Sequence, residues 1–284
     1  MPPTDTYRAE IAGLDALDVP VRPAPSAARR LWTSAWPRLA AIAVAIGGWE
    51  LLTLSKVKPP YVLPGPGPVF ARLVTDIGNG RLPHATAHTM WRAAIGYGVA
   101  VAVGSILGIV VARSRIVRTA IGSLLTGLQT MPTIAWFPFA ILLFGLSETA
   151  IIFVVILGAA PAIANGLISG VDNIPPILLR AGRVLGARGL SSYRHVVIPA
   201  ALPGFVAGLK QGWAFAWRSL MAGELLVLLG SSLGVVLQND RDNSDAPGLI
   251  ATMIVILLIG IVVDALVFAR AETAIRRRWG LLTD

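Results

Sequence analysis

Few residues in this 284-residue chain are of a type and spacing that could do chemistry. His84 and His88 stand one helical turn apart and could share a metal ion, but no third ligand lies near them in sequence. An interfacial amphipathic helix with both imidazoles facing water is the plainer reading. The chain has no cysteine, which excludes disulfides, thiol chemistry and Cys-ligated zinc or iron–sulfur sites. No metal or other cofactor is expected. No Ser-His-Asp or paired-carboxylate arrangement falls in a common polar region, so an intrinsic enzyme is not expected either. A G-x-x-x-x-G-K-[ST] loop is also missing, and none of Lys56, Lys58 and Lys210 follows a glycine, so the chain cannot cradle ATP phosphates in a Walker A loop. Energy from ATP would have to come through a partner.

Two ionisable residues stand inside one apolar segment, Arg218 and Glu224. Charged groups are costly there and face a cavity or an opposite charge. Six residues turn a helix by about 600°, which leaves the two about 120° apart and makes them poor partners for one another. Each is expected to meet another helix or a second subunit. Arg218 could attract an anion in transit, and Glu224 could hold a helix or a gate, with structural pairing the equal alternative for both. Pro132 and Pro138 free backbone carbonyls in another apolar segment, which is tolerated where protein or a water-filled cavity satisfies them again. The stretch 130–138 is therefore a candidate pore-lining kink, with a plain helix–helix kink as the alternative.

The elements that must position these residues are membrane helices. Of the chain, 55% is hydrophobic and only 14% charged, and the mean hydropathy is +0.71, outside the soluble globular range. Six apolar segments can be drawn, at 38–55, 88–112, 117–143, 149–170, 201–228 and 248–269, each near the ~20 residues needed to span hydrocarbon. An all-α polytopic membrane protein with about six transmembrane helices is the fold expected. Long polar connections run from 56 to 88, amphipathic after Pro68, and from 229 to 247. Gly204, Gly208 and Gly212 form a small-residue ladder, as do Gly104 and Gly108, which suits close packing within the subunit or across a subunit interface.

The net charge of +9 does not mark a nucleic-acid binder, because the basic residues follow the membrane and are not gathered on one soluble face. With the N-terminus inside, 16 arginines fall on cytoplasmic segments, against Lys56, Lys58, Arg72, Arg81 and Arg241 outside, while Arg92, Lys210 and Arg218 lie near or within the bilayer. This asymmetry predicts cytoplasmic termini. It also divides the chain into an N-terminal tail (1–37), a transmembrane domain (38–270) and a C-terminal tail (271–284). Trp32, Trp36 and Trp91 suit the aromatic belt.

The same count places the segment 172–199, DNIPPILLRAGRVLGARGLSSYRHVVIP, on the cytoplasmic side. Ile174, Ile177, Leu178, Ala181, Val184 and Leu185 recur at helical spacing, with Arg180, Arg183 and Arg188 off the stripe. Asp172 and Asn173 are the expected N-caps, and Pro175 and Pro176 fit a first turn. A bend at Gly186 and Gly189 leads to a second short element ending at Pro199. Helix, bend and helix form a docking knob, or else an amphipathic linker on the membrane surface.

Within that segment R-A-G-R-V-L-G, nine further residues and then V-V-I-P resemble the EAA loop of bacterial ABC-importer permeases, with Ala181, Gly186 and Pro199 at the landmark positions. Arg180 stands where the motif has its first acid. LQTMPTIAWFPFAILLFGLSET at 128–149 is similar to the Pro-x-x-Ala-Trp-x-Pro signature of permeases for sulfonates, taurine, nitrate and related anions, through Pro132, Ala135, Trp136, Pro138, Phe144 and Gly145. Residues 200–226 resemble the same group through Pro203, Gly208, Trp217 and Glu224. The likeness covers roughly residues 60 to 270 and looks closest to the aliphatic-sulfonate branch. It implies cytoplasmic ATPase subunits, an extracytoplasmic solute-binding protein and a second permease copy as partners. It also implies that Arg180, Ala181, Gly182, Gly186, Ala187, Tyr193, His195 and Pro199 form the ATPase-coupling surface. Pro132, Trp136, Pro138, Trp217, Arg218 and Glu224 are the candidates for the translocation pathway.

Overall fold

A computed structural model describes residues 27–278. The parts of the expected tails at 1–26 and 279–284 lie outside the described residues. Every regular element among those described is helical. The chain divides at Val57 into two units. The first is helix α1 (Ala27–Leu54), which begins well before the apolar stretch expected from 38. The residues ahead of that stretch, AARRLWTSAW, are mostly good helix formers and extend it without adding hydropathy. Its Leu39, Ile42, Val44 and Leu51 are exposed, as on a helix surface meant for lipid.

The second unit opens with a short amphipathic helix, α2 (Pro66–Gly78), which has Pro in its first turn. A left-handed Gly80 turns the chain into α3 (Arg81–Arg113). Next come α4 (Arg115–Thr130), a 3-10 turn (Thr133–Trp136) and α5 (Phe137–Phe144). The expected single span at 117–143 is thus two pieces bent by 103°. The break falls where Pro132 cannot donate an N–H. Helix α6 (Glu148–Asp172) leads to α7 (Pro176–Val184), and Leu190–Ser192 then passes through a π turn (Tyr193–Val197) into α8 (Ile198–Val227). Helix α9 (Leu233–Asp242) and α10 (Ala246–Val263) follow, and a second π turn (Asp264–Phe268) joins α10 to α11 (Ala269–Arg278).

Three expectations need correction. The polar stretch 229–247 contains α9, started by Ser232, whose Oγ accepts from Val235 N at 3.4 Å. Its Leu233, Val236 and Asp240 are buried on one face. Asp172 and Asn173 do not begin α7. Asp172 ends α6, Asn173 closes that helix by donating its N–H to Ser169 O, and Pro175 precedes α7. Pro199 does not end the second element, because it occupies the first turn of α8, where a missing N–H is tolerated.

Among the described residues, four helices are long and apolar enough to cross a membrane, or five if the bent pair counts as one span. The fifth expected segment, 201–228, forms α8, whose 30 residues reach about 45 Å. Length therefore suffices, but α8 is not among the helices that pass on apolarity, since Lys210, Gln211, Arg218 and Glu224 dilute it.

Helix α6 is the centre of the unit. Ile151, Val154, Val155, Ala159 and Ile163 are buried there between α3 and α8. Both glycine ladders face α6, which answers the choice left open by sequence in favour of packing within the chain. A Cβ on Gly104 of α3 would stand 2.6 Å from Ala160 O, and one on Gly208 of α8 would stand 2.7 Å from Gly166 Cα. Backbones this close leave room for no side chain. Tyr97 Oη adds a bridge by donating to Leu209 O at 2.8 Å.

Replacing Gly208 by Val should therefore force α6 and α8 apart and destabilise the unit by roughly 3 kcal/mol or more. Thermal unfolding of the purified chain in detergent checks this. A variant that melts like wild type would remove the contact from its central place.

Candidate functional site

The candidate residues fall at four stations. The first is the broken span. Pro132 precedes the 3-10 turn and Pro138 lies in the first turn of α5, so neither interrupts a helix interior. Phe137 between them is fully buried and reaches α8 at Gly223, where a Cβ would meet its ring at 2.8 Å. This contact holds the break against α8. Pro132, Ile134 and Ala135 are exposed, while Trp136 is half-buried with its ring edge-on to Phe139, centroids 6.3 Å apart.

The second station is an open groove of about 540 Å³ along α8, lined by Lys210, Gln211, Trp213, Trp217, Arg218, Gly260, Asp264 and Glu272. Trp213 and Trp217 are stacked, centroids 5.8 Å apart. Lys210 Nζ lies 3.3 Å from Asp264 and 4.0 Å from Glu272. Arg218 is exposed. It donates to Ala214 O at 2.9 Å and its guanidinium lies 4.9 Å from the Phe215 ring centroid, but it pairs with no carboxylate among the described residues. An exposed arginine with no carboxylate partner among the described residues is suited to meeting an anion.

Glu224 stands apart from that groove. It is fully buried, and its carboxylate accepts from Arg92 Nη1 at 3.2 Å, Thr89 Oγ1 at 2.9 Å and Gly234 N at 3.1 Å. Arg92, only 4% exposed, also donates from Nη2 to Glu148 Oε1 and to Leu229 O, both at 2.9 Å. Leu233 N donates to Thr89 Oγ1 at 2.9 Å. One carboxylate and one guanidinium thus clamp α3, α6, α8 and the turn at 228–234, where Leu228 takes a left-handed conformation. The partners are charged groups, the Thr89 hydroxyl and backbone groups, so the remaining donors and acceptors of the buried pair are satisfied, which it requires to offset its desolvation. Nearer the start of α3, Arg81 pairs with Asp76 and with Asp240 of α9, and Asp240 also accepts from Thr252 Oγ1 at 3.2 Å. These two carboxylates are buried as well.

The fourth station is the segment from α7 to the π turn. Its helix ends in a paired closure. Ala187 N donates to Gly182 O at 2.9 Å and Gly186 N to Arg183 O at 3.1 Å, with Gly186 at φ +84°. Gly182 is buried against Val196, which seats α7 on the π turn. Tyr193 lies under the Arg113 guanidinium, 5.8 Å from its ring centroid, and His195 Nδ1 is 3.0 Å from Ser191 O. Ile174 at the head of the apolar stripe is buried, but the rest faces outward, with Ile177, Val184 and Leu185, and Leu190 beyond the bend, between 66% and 87% exposed. Arg180, Ala181, Arg183, Arg188 and Arg194 are exposed beside it, while Ala187 and Pro199 are half-buried.

Sequence reasoning placed Arg92 and Lys210 in or near the bilayer without finding their partners. Opposite charges in other apolar segments were the available signal, since Glu224 and Asp264 answer them across 132 and 54 residues. His84 and His88 pack ring against ring, centroids 4.8 Å apart, and among the described residues no group of three ligating side chains forms.

Residues 100–271 match the family described as binding-protein-dependent transport system inner membrane component. A chain named as an ABC transporter permease protein in Methanocaldococcus jannaschii is 35% identical over 80% of this chain and 85% of its own length. The taurine transport system permease protein of Escherichia coli is 28% identical, covering 85% of this chain and 89% of that one. A nitrate import permease protein of Leptolyngbya laminosa is 30% identical over 81% and 84%. Among solved structures, a chain of the MetNI methionine ABC transporter in an inward-facing conformation superposes with a TM-score of 0.57 at 19% identity, over 69% of this chain and 95% of that one. That likeness is one of fold.

The clamp makes a sharp prediction. Removing the charge with Glu224→Gln leaves Arg92 short of its buried partner and should cost roughly 3–5 kcal/mol. The pair Arg92→Met and Glu224→Leu together should cost less than the sum of the single changes. Unfolding titrations of wild type, Glu224→Gln, Arg92→Met, Glu224→Leu and the double variant measure both, and additive losses would show that the two residues act separately.

Proposed function

The chain belongs to the family of binding-protein-dependent transport system inner membrane components, and on that premise we propose that it carries a small sulfonate-like anion across the membrane. It is a multi-pass permease of an ATP-binding-cassette importer and not an enzyme. Membership implies two kinds of partner, an ATPase that supplies the energy and a binding protein that delivers the solute. A sulfonate-like solute rests on the taurine and nitrate permeases among the relatives together with Arg218, the exposed cation of the α8 groove.

The observation that carries the coupling is the outward apolar stripe of α7. Val184 and Leu185 are 87% and 86% exposed on a segment closed tightly by Gly186, with arginines on either side. Such a stripe fits a cleft in a soluble partner, and its attachment through the π turn to α8 gives motion a route into the transmembrane part. We assign Arg180, Ala181, Gly182, Gly186, Ala187, Tyr193, His195 and Pro199 to this coupling element, with Gly182, Tyr193 and Pro199 holding its shape. Arg180 offers a positive contact where the family motif has an acid. The transmembrane domain carries this element toward the cytoplasm, the side on which the arginines concentrate and on which both termini are proposed to lie.

Pro132, Trp136 and Pro138 at the break and Trp217 and Arg218 at the groove are proposed to line the path, with Glu224 holding α8 in place. The groove is open along one side, so a second copy of the chain is the natural element to close it. In the cycle, closure of the ATPase pair would move the α7 knob and switch access to the path.

Two measurements test this. Leu185→Glu should leave the melting temperature of the isolated chain unchanged and reduce ATPase co-purification at least ~10-fold, as for a central interface residue; equal co-purification would remove the docking role. In liposomes containing the permease, its ATPase and the binding protein, the loaded binding protein should stimulate ATP hydrolysis and uptake together. Uptake that persists without the ATPase would overturn the importer reading.

A further inference from the structure

Helices α10 and α11 carry one outward stripe that changes its chemistry halfway along. Leu258, Val262, Leu266, Arg270, Thr273 and Arg277 follow one another at steps of four or three residues, which keeps them on one side through the second π turn. The three apolar members are 48%, 48% and 49% exposed. The other three are exposed as well. Apolar side chains left open in this way on a membrane helix suit lipid tails, and the run stops at Arg270, where the helix leaves the hydrocarbon.

The basic half of the stripe holds a shallow groove of about 480 Å³, lined by Ala265, Ala269 and Ala274 together with Arg270, Thr273 and Arg277. The alanines leave its floor open. Arg270 and Arg277 stand seven residues apart, about 10 Å along the axis, and among the described residues neither pairs with a carboxylate. The acids of the same segment turn to a different groove, where Asp264 and Glu272 lie 3.3 and 4.0 Å from Lys210 of α8. Thr273 Oγ1 donates its hydrogen to Ala269 O at 2.7 Å, so it offers only lone pairs to anything in the basic groove. The groove therefore presents two guanidinium forks and one hydroxyl acceptor beneath an apolar stripe.

We propose that this groove seats an anionic glycerophospholipid of the phosphatidylglycerol kind. Its phosphodiester is held by Arg270 and Arg277, a glycerol hydroxyl donates to Thr273 Oγ1, and an acyl chain lies along Leu258, Val262 and Leu266. Guanidinium groups bind phosphate oxygens in pairs, and arginines just beyond a membrane span gain from anionic lipid. A choline headgroup brings its own cation to the arginines and has no hydroxyl for Thr273. A free phosphate has no tail to cover the stripe. Because Glu272 of the same helix is bound to Lys210, a lipid seated here also steadies α11 against α8. The site requires only that α10 spans a bilayer, and it is independent of which solute is carried.

The test titrates the full chain, freed of lipid in a mild detergent, with dioleoyl phosphatidylglycerol and separately with dioleoyl phosphatidylcholine, and counts bound lipid by native mass spectrometry. The first phosphatidylglycerol should bind at least ~10-fold more tightly than the first phosphatidylcholine. Arg270→Gln combined with Arg277→Gln should remove that preference, and Arg270→Lys combined with Arg277→Lys should retain part of it. Arg188→Gln combined with Arg194→Gln takes the same charge from the exposed α7 segment and should leave the preference intact. Melting in the absence of lipid should match wild type for every variant, which shows that each is folded. Glycerophosphoglycerol, the headgroup without its tails, should fail to displace the lipid even in large excess. The proposal is overturned by equal affinity for the two lipids, by a preference that survives the loss of Arg270 and Arg277, by an equal loss from the α7 replacements, or by displacement with the headgroup alone.

Discussion

The backbone contact between α6 and α8 is the constraint on which the rest of the structure hangs. Gly166 and Gly170 of one helix meet Gly204 and Gly208 of the other with no room for a Cβ on either side. In lipid no hydrophobic force drives two apolar helices together, so tight van der Waals packing has to do it. Once α6 is fixed against α8, α3 closes on its other flank through Gly104 and Gly108, and the broken span keys in through Phe137 at Gly223. The polar residues of α8 are then sorted by direction. Those turned inward, such as Glu224, must be paired, and those turned outward, such as Arg218, need not be.

Charge in this protein is handled in two distinct ways. Around Glu224 and around Asp240, carboxylates that water does not reach are held by guanidinium groups, hydroxyls and backbone N–H groups from several helices. Such arrangements fix register, since losing one partner leaves a charge stranded. Along the groove Lys210, Asp264 and Glu272 are about one-third to one-half exposed. The same residue types are sealed and fully partnered in one place and left partly open in the other, and the difference is burial.

The sequence could be read wherever the signal was local. The apolar stripe of 174–185 and the bend at Gly186 are visible because helix period and glycine conformation act over a few residues. The break at Pro132 is visible for the same reason, although its 103° angle is set by Phe137 packing on a helix nearly 90 residues away. Helix α9 was hidden because its Gln238-Asn239-Asp240-Arg241-Asp242 run looks like a loop until Arg81, far away in sequence, neutralises Asp240. The N-cap expected at Asp172 failed because two roles compete for that residue. Its carboxylate binds Arg118 at 2.9 Å, and the helix it belongs to is the one that ends there. The clamp of Arg92 on Glu224 joins positions 132 residues apart and leaves no local trace.

The π turn at Tyr193–Val197 joins the α7 segment to α8 without a flexible linker. One 30-residue rod therefore has the knob at one end, Arg218 about two-thirds of the way along and the Glu224 clamp near the other end. Geometry gives such a rod mechanical gain. A tilt of about 10° pivoted at the clamp sweeps the start of the helix through roughly 7 Å over the ~39 Å between Ile198 and Glu224, while groups beside the pivot barely move. A stroke of several ångströms at the α7 end thus becomes a small, graded displacement at Arg218, while the buried charges beside the pivot stay paired.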